Sequence, residues 1–308
     1  MLKKIAITTS SFGQFDPQPL KILERHGCSF VLNKQGRTLK PLELLALAQE
    51  CLGVIAGTEP YNQEILEQLP QLRIISRCGS GMDNLDLKFC EQRGIKIFKT
   101  ADGPQRAVAE LVVGLILNLL RQISLADRDI RRGMWQKRMG SVLLGKNVGI
   151  VGLGNVGREV ARLLDALGAR ISYFDPFIAG KVDAHFLRKA DLRDLLISCP
   201  IVSLHVPLTP ETKNLIDEEA LAAMPEDAIL INCSRGGIVD ENALFMVLKA
   251  KKLAGAAVDV FTQEPYQGPL AGLDNVILTP HIGSYAKEAR IKMEMDAVNN
   301  LITGLNGE

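Results

Sequence analysis

The strongest constraint on the fold is a repeated alternation of short, β-branched apolar runs with longer segments of helical periodicity. The first series of strand candidates comprises residues 5–9, 30–33, 53–57, 74–77 and 95–99. The second series comprises residues 147–151, 169–174, 201–205, 228–232, 255–258 and 276–279. Strands that alternate with helices predict parallel sheets covered on both faces. One helical pattern over residues 105–132 links the series, and another over 285–305 ends the chain.

Composition excludes several classes of function. The chain has 36 basic and 35 acidic residues and a net charge of +1, whereas a nucleic-acid-binding surface needs a basic excess. Its strongest apolar run, residues 111–120, is much shorter than the ~20 residues of a membrane span. The six cysteines form no CxxC pair, which favours reduced thiols over a metal site. We therefore predict a cytoplasmic protein without nucleic-acid, membrane or metal partners.

A glycine-rich loop lies between the first strand and the first helix of the second series. Gly152, Gly154 and Gly157 have GxGxxG spacing, which is typical of dinucleotide binding in this context. Gly152 permits the tight turn, Gly154 lets the backbone approach a pyrophosphate, and Gly157 allows close packing of the helix. The N-terminus of that helix would face the phosphates with its positive dipole end.

The next strand candidate ends at Asp175, at about the ~20-residue spacing of the acid that accepts from ribose hydroxyls. A carboxylate repels a 2′-phosphate, and no arginine follows immediately, so NAD is favoured over NADP. The glycine loop and the acid do not exclude a methyltransferase, because such an enzyme could have both.

Polar residues follow three later strand candidates. Arg235 follows residues 229–232, Asp259 and Glu264 follow 255–258, and His281 follows 276–279. Ligands of open parallel sheets bind beyond the carboxyl ends of the strands. These four side chains are therefore predicted to meet at one crevice.

The order and spacing of five motifs resemble the D-isomer-specific 2-hydroxyacid dehydrogenase family, most closely its D-3-phosphoglycerate dehydrogenase branch. The motifs are residues 152–157, 203–209, 232–240, 259–265 and 280–283. The resemblance implies an NAD-dependent oxidoreductase that interconverts a small 2-hydroxy acid and its 2-oxo acid. It also implies two doubly wound α/β domains. A Rossmann domain, residues 101–283, would be inserted into a flavodoxin-like substrate domain, residues 1–100 and 284–308.

The resemblance also implies roles for individual residues. Arg235 would hold the substrate carboxylate and carbonyl oxygen, His281 would be the general acid and base, and Glu264 would orient His281. Asp259 would orient the nicotinamide carboxamide, and His205 would lie near the ribose. The full set of expected cofactor-binding residues is Gly152, Gly154, Asn155, Val156, Gly157, Asp175, His205, Val206, Pro207, Thr212, Cys233, Ser234, Asp259 and Gly283.

In the first domain, backbone N–H groups of Ser80 and Gly81 would bind the substrate carboxylate as an anion nest, while Asp83 or Asn84 caps the next helix. Glu59 stands near the position where the phosphoglycerate branch tends to carry a phosphate-binding arginine. Lys137 and Arg138 resemble a basic loop that a partner subunit would donate. The resemblance further implies a homodimer paired through residues near 105–140.

Two other functions remain open from the sequence. One is a formate- or phosphite-type dehydrogenase of the same fold. The other is a non-catalytic, NAD-sensing protein of the corepressor type, which would not need the Arg235, Glu264 and His281 set.

Overall fold

The computed structural model describes residues 3–100, 104–178, 182–183 and 185–307. These residues form two compact units. The first unit comprises Met1–Pro104 and Ser284–Glu308, and the second comprises Gln105–Gly283, inserted in the sequence between those two segments. The predicted domain boundary at residue 101 falls on residues 101–103, which lie outside the described residues.

A five-stranded parallel sheet in the order β2-β1-β3-β4-β5 forms the centre of the first unit. Its strands are β1 (Lys3–Ile7), β2 (Cys28–Leu32), β3 (Gly53–Ala56), β4 (Ile74–Arg77) and β5 (Lys96–Lys99). The helices between them are α1 (Gln18–Arg25), α2 (Pro41–Ala48), α3 (Gln63–Glu67) and α4 (Leu87–Gln92). The strand order reverses between β1 and β3, so this sheet has a topological switch point there.

A seven-stranded parallel sheet in the order β12-β11-β10-β9-β6-β7-β8 forms the centre of the second unit. Its strands are β6 (Asn147–Val151), β7 (Arg170–Phe174), β8 (Leu187–Arg188), β9 (Ile201–Leu204), β10 (Ile229–Asn232), β11 (Gly255–Val258) and β12 (Val276–Leu278). Its helices are α5 (Gln105–Arg121), α6 (Ile123–Arg131), α7 (Asn155–Ala166), α8 (Leu192–Ser198), α9 (Glu218–Ala223) and α10 (Glu241–Lys249). The switch point of this sheet lies between β6 and β9.

The last helix, α11 (Lys287–Asn306), packs on the sheet of the first unit. Ser76 on β4 donates to the carbonyl of Ala297 at 2.7 Å. Gly53 on β3 leaves room for Leu301, because a Cβ there would lie 2.9 Å from the leucine side chain. The prediction of two doubly wound parallel-sheet domains, one inserted into the other, is confirmed by these two sheets.

The predicted single helix over residues 105–132 is wrong, because the chain turns at Gln122, whose φ is 51°. Asn118 accepts from the backbone N–H of Ser124 at 2.9 Å and so caps the second helix. The carbonyl of Leu120 accepts from Ser141 at 2.8 Å instead of continuing the helix. A long-range contact therefore divides the segment into α5 and α6. The two-residue strand β8 was not predicted either.

No single helix of the described residues is long and apolar enough to cross a membrane. Helices α5 and α6 reach that length and apolar content only together, and a bend of 62° separates them.

Candidate active site

The glycine loop of the second unit follows β6, beside the switch point. Gly152 has a φ of 87°, and a side chain there would lie 2.8 Å from the carbonyl oxygen of His205, which follows β9. A Cβ on Gly157 would lie 2.1 Å from the carbonyl oxygen of Gly152. By contrast, nothing lies within 4 Å of a Cβ at Gly154, where α7 begins. The loop is therefore closed toward the sheet and open toward a ligand at the helix N-terminus.

Asp175 follows β7 and supports this loop directly. Its Oδ2 accepts from the backbone N–H of Leu153 at 2.8 Å, and its Oδ1 accepts from Phe177 at 2.9 Å. A carboxylate has about four lone-pair directions, so these bonds leave capacity for ribose hydroxyls. The acid is thus held beside the glycine loop.

His205 lies on the other side of the switch point, with its Nε2 2.9 Å from the Ser203 hydroxyl. Burial lowers the pKa of His205 to about 3, so the ring is neutral at physiological pH. Thr212 holds the following turn by donating to the carbonyl of Pro207 at 2.6 Å and accepting from Thr209 N–H at 2.7 Å. Val206 is half-buried, and its Cγ1 would lie 2.8 Å from a Cβ on Gly152.

Arg235 is carried by the loop after β10. Asn232 organises this loop: its Nδ2 donates to the carbonyl of Arg235 at 3.0 Å, and its Oδ1 accepts from the Ser234 hydroxyl at 2.8 Å. A Cβ on Gly236 would lie 2.0 Å from the carbonyl oxygen of Phe261. Only glycine permits this approach, which places the Arg235 loop directly against the loop that carries Glu264.

Asp259 is the buried residue that shapes the loop after β12. Its Oδ1 accepts from Thr279 Oγ1 at 2.5 Å and from Ile282 N–H at 2.8 Å, and its Oδ2 accepts from Gly283 N–H at 2.9 Å. The Asp259 carbonyl also accepts from His281 N–H at 2.8 Å. Burial raises the pKa of Asp259, although these hydrogen bonds oppose the rise.

The hydrogen bonds of Asp259 hold His281 at a φ of 54°. This left-handed conformation is uncommon for residues other than glycine, although histidine adopts it more often than most. The ring meets Glu264, with Nδ1 2.9 Å from Oε2 and 3.1 Å from Oε1. Glu264 Oε1 also accepts from Phe261 N–H at 3.1 Å. Burial alone would raise the pKa of Glu264, but the hydrogen bond and charge of His281 outweigh burial, so this pKa is lowered. The charge of Arg235 acts in the same direction.

The arrangement can perform proton transfer beside a bound anion. Nδ1 of His281 faces a carboxylate, which leaves Nε2 as the nitrogen to exchange a proton with a ligand. Arg235 supplies a guanidinium from the loop that packs against the loop of Glu264. Cys233 and Ser234 lie at the start of the Arg235 loop. Cys233 is buried, and burial raises the pKa of its thiol, so it is not a nucleophile at neutral pH.

Ser80 and Gly81 belong to the first unit, where they follow β4. Ser80 is exposed and Gly81 is half-buried. The helix cap expected at Asp83 or Asn84 is wrong, because Asp86 caps α4 by accepting from Phe89 N–H at 2.9 Å. Asn84 instead donates to the carbonyl of Glu59 at 2.7 Å.

The residues around the switch point of the second unit fit a dinucleotide. They would hold its pyrophosphate at the glycine loop, a ribose at Asp175, and its nicotinamide end toward the loops after β10, β11 and β12. Among the described residues, no group of three or more His, Cys, Asp or Glu side chains could hold a metal ion.

Three supporting residues were given no role from the sequence, although two of them lie within the recognised motifs. They are Asn232, which orders the Arg235 loop, Thr279, which donates to Asp259, and Ser203, which contacts His205. Each lies within two to three residues of a predicted site residue and at or near the end of a strand. A position near the end of a strand could have indicated a supporting role for these residues. Which side chain each of them contacts is decided by the fold.

Comparison with known proteins assigns the chain to a family. Residues 113–283 match the family described as D-isomer specific 2-hydroxyacid dehydrogenase, NAD binding domain. A D-3-phosphoglycerate dehydrogenase of Pongo abelii is 37% identical over 294 residues, which cover 94% of this chain and 54% of that protein. The chain thus spans about half the length of this relative.

Two further relatives are similar over most of their own length. A glyoxylate reductase of Thermofilum pendens is 42% identical over 261 residues, which cover 82% of this chain and 77% of that protein. A crystal structure of a Thermus thermophilus protein superposes with a TM-score of 0.90 at 33% identity, covering 99% of this chain and 97% of that one. The chain therefore belongs to the D-isomer specific 2-hydroxyacid dehydrogenase family, and its second unit contains the NAD-binding domain.

Proposed function

We propose that this protein is an NAD-dependent 2-oxo acid reductase, which in the reverse direction oxidises a D-2-hydroxy acid. The observation that carries the proposal is the distance of 2.9 Å between His281 Nδ1 and Glu264 Oε2. The loop that carries Glu264 packs against the loop that carries Arg235. The membership of the family supports it independently. The preference for NAD is supported by Asp175, because a carboxylate beside the glycine loop disfavours a 2′-phosphate.

In the direction of reduction, Arg235 binds the substrate carboxylate and polarises the carbonyl oxygen through its guanidinium. When bound, the reduced nicotinamide supplies the hydride that reaches C2. Protonated His281 gives its Nε2 proton to the carbonyl oxygen, so the 2-oxo acid becomes a 2-hydroxy acid. Glu264 stabilises the imidazolium before transfer and holds the ring orientation. His281 then regains a proton from solvent.

The direct test is to follow NADH oxidation at 340 nm with glyoxylate, hydroxypyruvate, its 3-phosphate, pyruvate and 2-oxoglutarate, with NADPH in parallel. We expect turnover of at least one acid with NADH and weaker turnover with NADPH. Binding of NADH without oxidation by any of the acids would contradict the proposal and favour a formate- or phosphite-type dehydrogenase or a corepressor-type protein.

Glu264→Gln is expected to lower kcat for 2-oxo acid reduction, because it removes the carboxylate that lies 2.9 Å from His281 Nδ1 and fixes the orientation of the ring. Glu264→Asp keeps the charge and should retain more of kcat. Steady-state oxidation of NADH at 340 nm measures kcat, and the dissociation constant of NADH should stay within about threefold of the wild-type value. A loss of NADH affinity as large as the loss of kcat would mean that Glu264 only supports the loop.

We also propose that the protein acts as a cytoplasmic homodimer, paired through an apolar surface formed by residues 123–144. Trp135 is 85% exposed and Met139 is 91% exposed. The other exposed large apolar side chains of this surface are Ile123, Ile130, Met134, Val142 and Leu144. Seven exposed large apolar side chains within 22 residues of sequence favour an interaction site over singly scattered apolar residues. The six cysteines, all buried thiols, suit a reducing compartment.

The double substitution Trp135→Asp and Met139→Lys is expected to convert a dimer into a monomer at micromolar concentration, measured by analytical ultracentrifugation. Aromatic anchors dominate interface energies, so the dissociation constant should rise by about 100-fold or more. Phe177→Lys is the control, because Phe177 is 95% exposed and lies outside this surface. A monomeric wild-type protein would overturn the homodimer proposal.

A further inference from the structure

The segment of residues 235–241, here called the support segment, runs from Arg235 to the first residue of α10. Two backbone hydrogen bonds with Ile216 fix it in the second unit. Ile216 N–H donates to the carbonyl of Ile238 at 3.1 Å, and Asp240 N–H donates to the carbonyl of Ile216 at 3.0 Å. Both isoleucine side chains are fully buried. The support segment therefore has a fixed place from which its side chains can hold a neighbouring loop.

Glu241, the first residue of α10, does not cap its own helix. The cap is Asp240, whose Oδ1 accepts from the backbone N–H groups of Asn242 and Ala243 at 2.9 Å and 3.0 Å. The carboxylate of Glu241 instead accepts from the backbone N–H of Thr262 at 2.7 Å, 21 residues further along the chain. This contact holds a separate loop and is not needed to end the helix.

The peptide between Phe261 and Thr262 is held by the support segment at two points. A Cβ on Gly236 would lie 2.0 Å from the carbonyl oxygen of Phe261 and 2.5 Å from the nitrogen of Thr262. Glycine at this position lets the peptide lie directly against the segment, and Glu241 accepts from the same peptide. The Phe261 ring also stacks on Tyr266, with ring centroids 4.2 Å apart.

The same loop carries Glu264. Its Oε1 accepts from the backbone N–H of Phe261 at 3.1 Å, and its Oε2 lies 2.9 Å from His281 Nδ1. The residue that orients the Glu264 carboxylate is thus the neighbour of the residue that Glu241 binds. A continuous chain of contacts runs from Glu241 through this loop to the imidazole.

We propose that Glu241 is a positioning residue, which fixes the loop of Glu264 relative to Arg235. The inference rests on the proposed function, in which Arg235 binds the substrate and His281 transfers the proton. The support segment carries Arg235 at one end and Glu241 at the other, so it sets the separation of these two groups. Because rates fall steeply when reacting groups are displaced, loss of this contact acts on kcat and not on the affinity for NADH.

Glu241→Ala is expected to lower kcat for 2-oxo acid reduction by about tenfold, because the loop of Glu264 is then held at one point instead of two. The dissociation constant of NADH should stay within about threefold of the wild-type value. Glu241→Gln keeps an oxygen that accepts from Thr262 N–H, so it should restore most of kcat. The measurement is NADH oxidation at 340 nm, with kcat normalised to NADH-binding sites so that partial loss of folded protein does not enter.

Glu218→Ala is the matched control. Glu218 is the first residue of α9 and also follows an aspartate that caps its helix, Asp217. The substitution therefore removes the same favourable interaction between an acid and a helix N-terminus as Glu241→Ala does. It should leave kcat within about twofold, because an exposed acid of this kind contributes only to the stability of its helix.

A double-mutant cycle tests whether Glu241 acts through Glu264. In a Glu264→Ala background the positioned carboxylate is gone, so adding Glu241→Ala should lower kcat by less than about threefold. An equal loss of kcat in both backgrounds, or an unchanged kcat in Glu241→Ala alone, overturns the inference and leaves the proposed function intact. Absence of turnover of every acid by the wild-type protein overturns the proposed function itself.

Discussion

His281→Asn is expected to lower kcat for 2-oxo acid reduction by about 10²–10⁴-fold, the usual contribution of a positioned general acid. Asparagine is chosen because it tolerates the positive φ that the structure shows at this position, 54°. The hydrogen bond from residue 281 N–H to the Asp259 carbonyl is retained in the variant. The loss then reports proton transfer and not collapse of the loop.

The measurement has two parts. Steady-state oxidation of NADH at 340 nm gives kcat and KM, and quenching of protein fluorescence gives the dissociation constant of NADH. We expect that constant to change by less than about threefold, because His281 donates a proton to substrate and does not hold the glycine loop. His185→Asn is the matched control, since His185 is exposed and should leave both values unchanged. A collapse of NADH affinity in His281→Asn would mean that His281 belongs to the cofactor site.

Arg235→Gln is expected to lower kcat/KM for every 2-oxo acid by about 10³-fold. The guanidinium can make two charge-assisted hydrogen bonds, worth about 1.5–3 kcal/mol each. Arg235→Lys keeps the charge but not the planar fork, so it should recover only part of the loss. Both constants should change: loss of the contact with the carboxylate raises KM, and loss of the contact with the carbonyl oxygen, which strengthens in the transition state, lowers kcat.

The matched control is Arg193→Gln, an exposed arginine of the second unit that pairs with Glu219 at 2.9 Å. It should leave kcat/KM unchanged, since surface ion pairs contribute little. If Arg235→Gln lowered kcat with no change in KM, the guanidinium would act on the carbonyl oxygen in the transition state and not on the carboxylate.

The local features of the site were predictable because they depend on short-range constraints. The glycine loop needs glycine at residue 157, where a Cβ would lie 2.1 Å from the carbonyl oxygen of Gly152 in the same loop. The alternation of apolar strands and helical segments likewise predicts parallel sheets from neighbouring residues alone. Arg235, Glu264 and His281 follow strands of one parallel sheet, whose carboxyl ends share one edge.

The supporting contacts were not predictable, because they join residues distant in sequence. Asp259 was predicted as a cofactor residue, but its side chain also accepts three hydrogen bonds from the loop of residues 279–283. The helical periodicity of residues 105–132 continues through Gln122, yet Ser141 takes the Leu120 carbonyl and the helix ends. Local helix propensity does not include competition between a helical hydrogen bond and a donor from a distant part of the sequence.

The sequence by itself determined the class of fold and the glycine loop between strand and helix, since these follow from periodicity, spacing and residue type. The roles predicted for Arg235, Glu264 and His281 came from the resemblance to the family. Only the tertiary structure decided what each polar side chain meets. Glu59 is the clearest case: the sequence places it near the position of an arginine in the phosphoglycerate branch, but only the fold shows that its carboxylate is buried and accepts from the Thr8 hydroxyl. The physical reason is that the energy of a buried charge depends on partners brought from other strands, which no local pattern specifies.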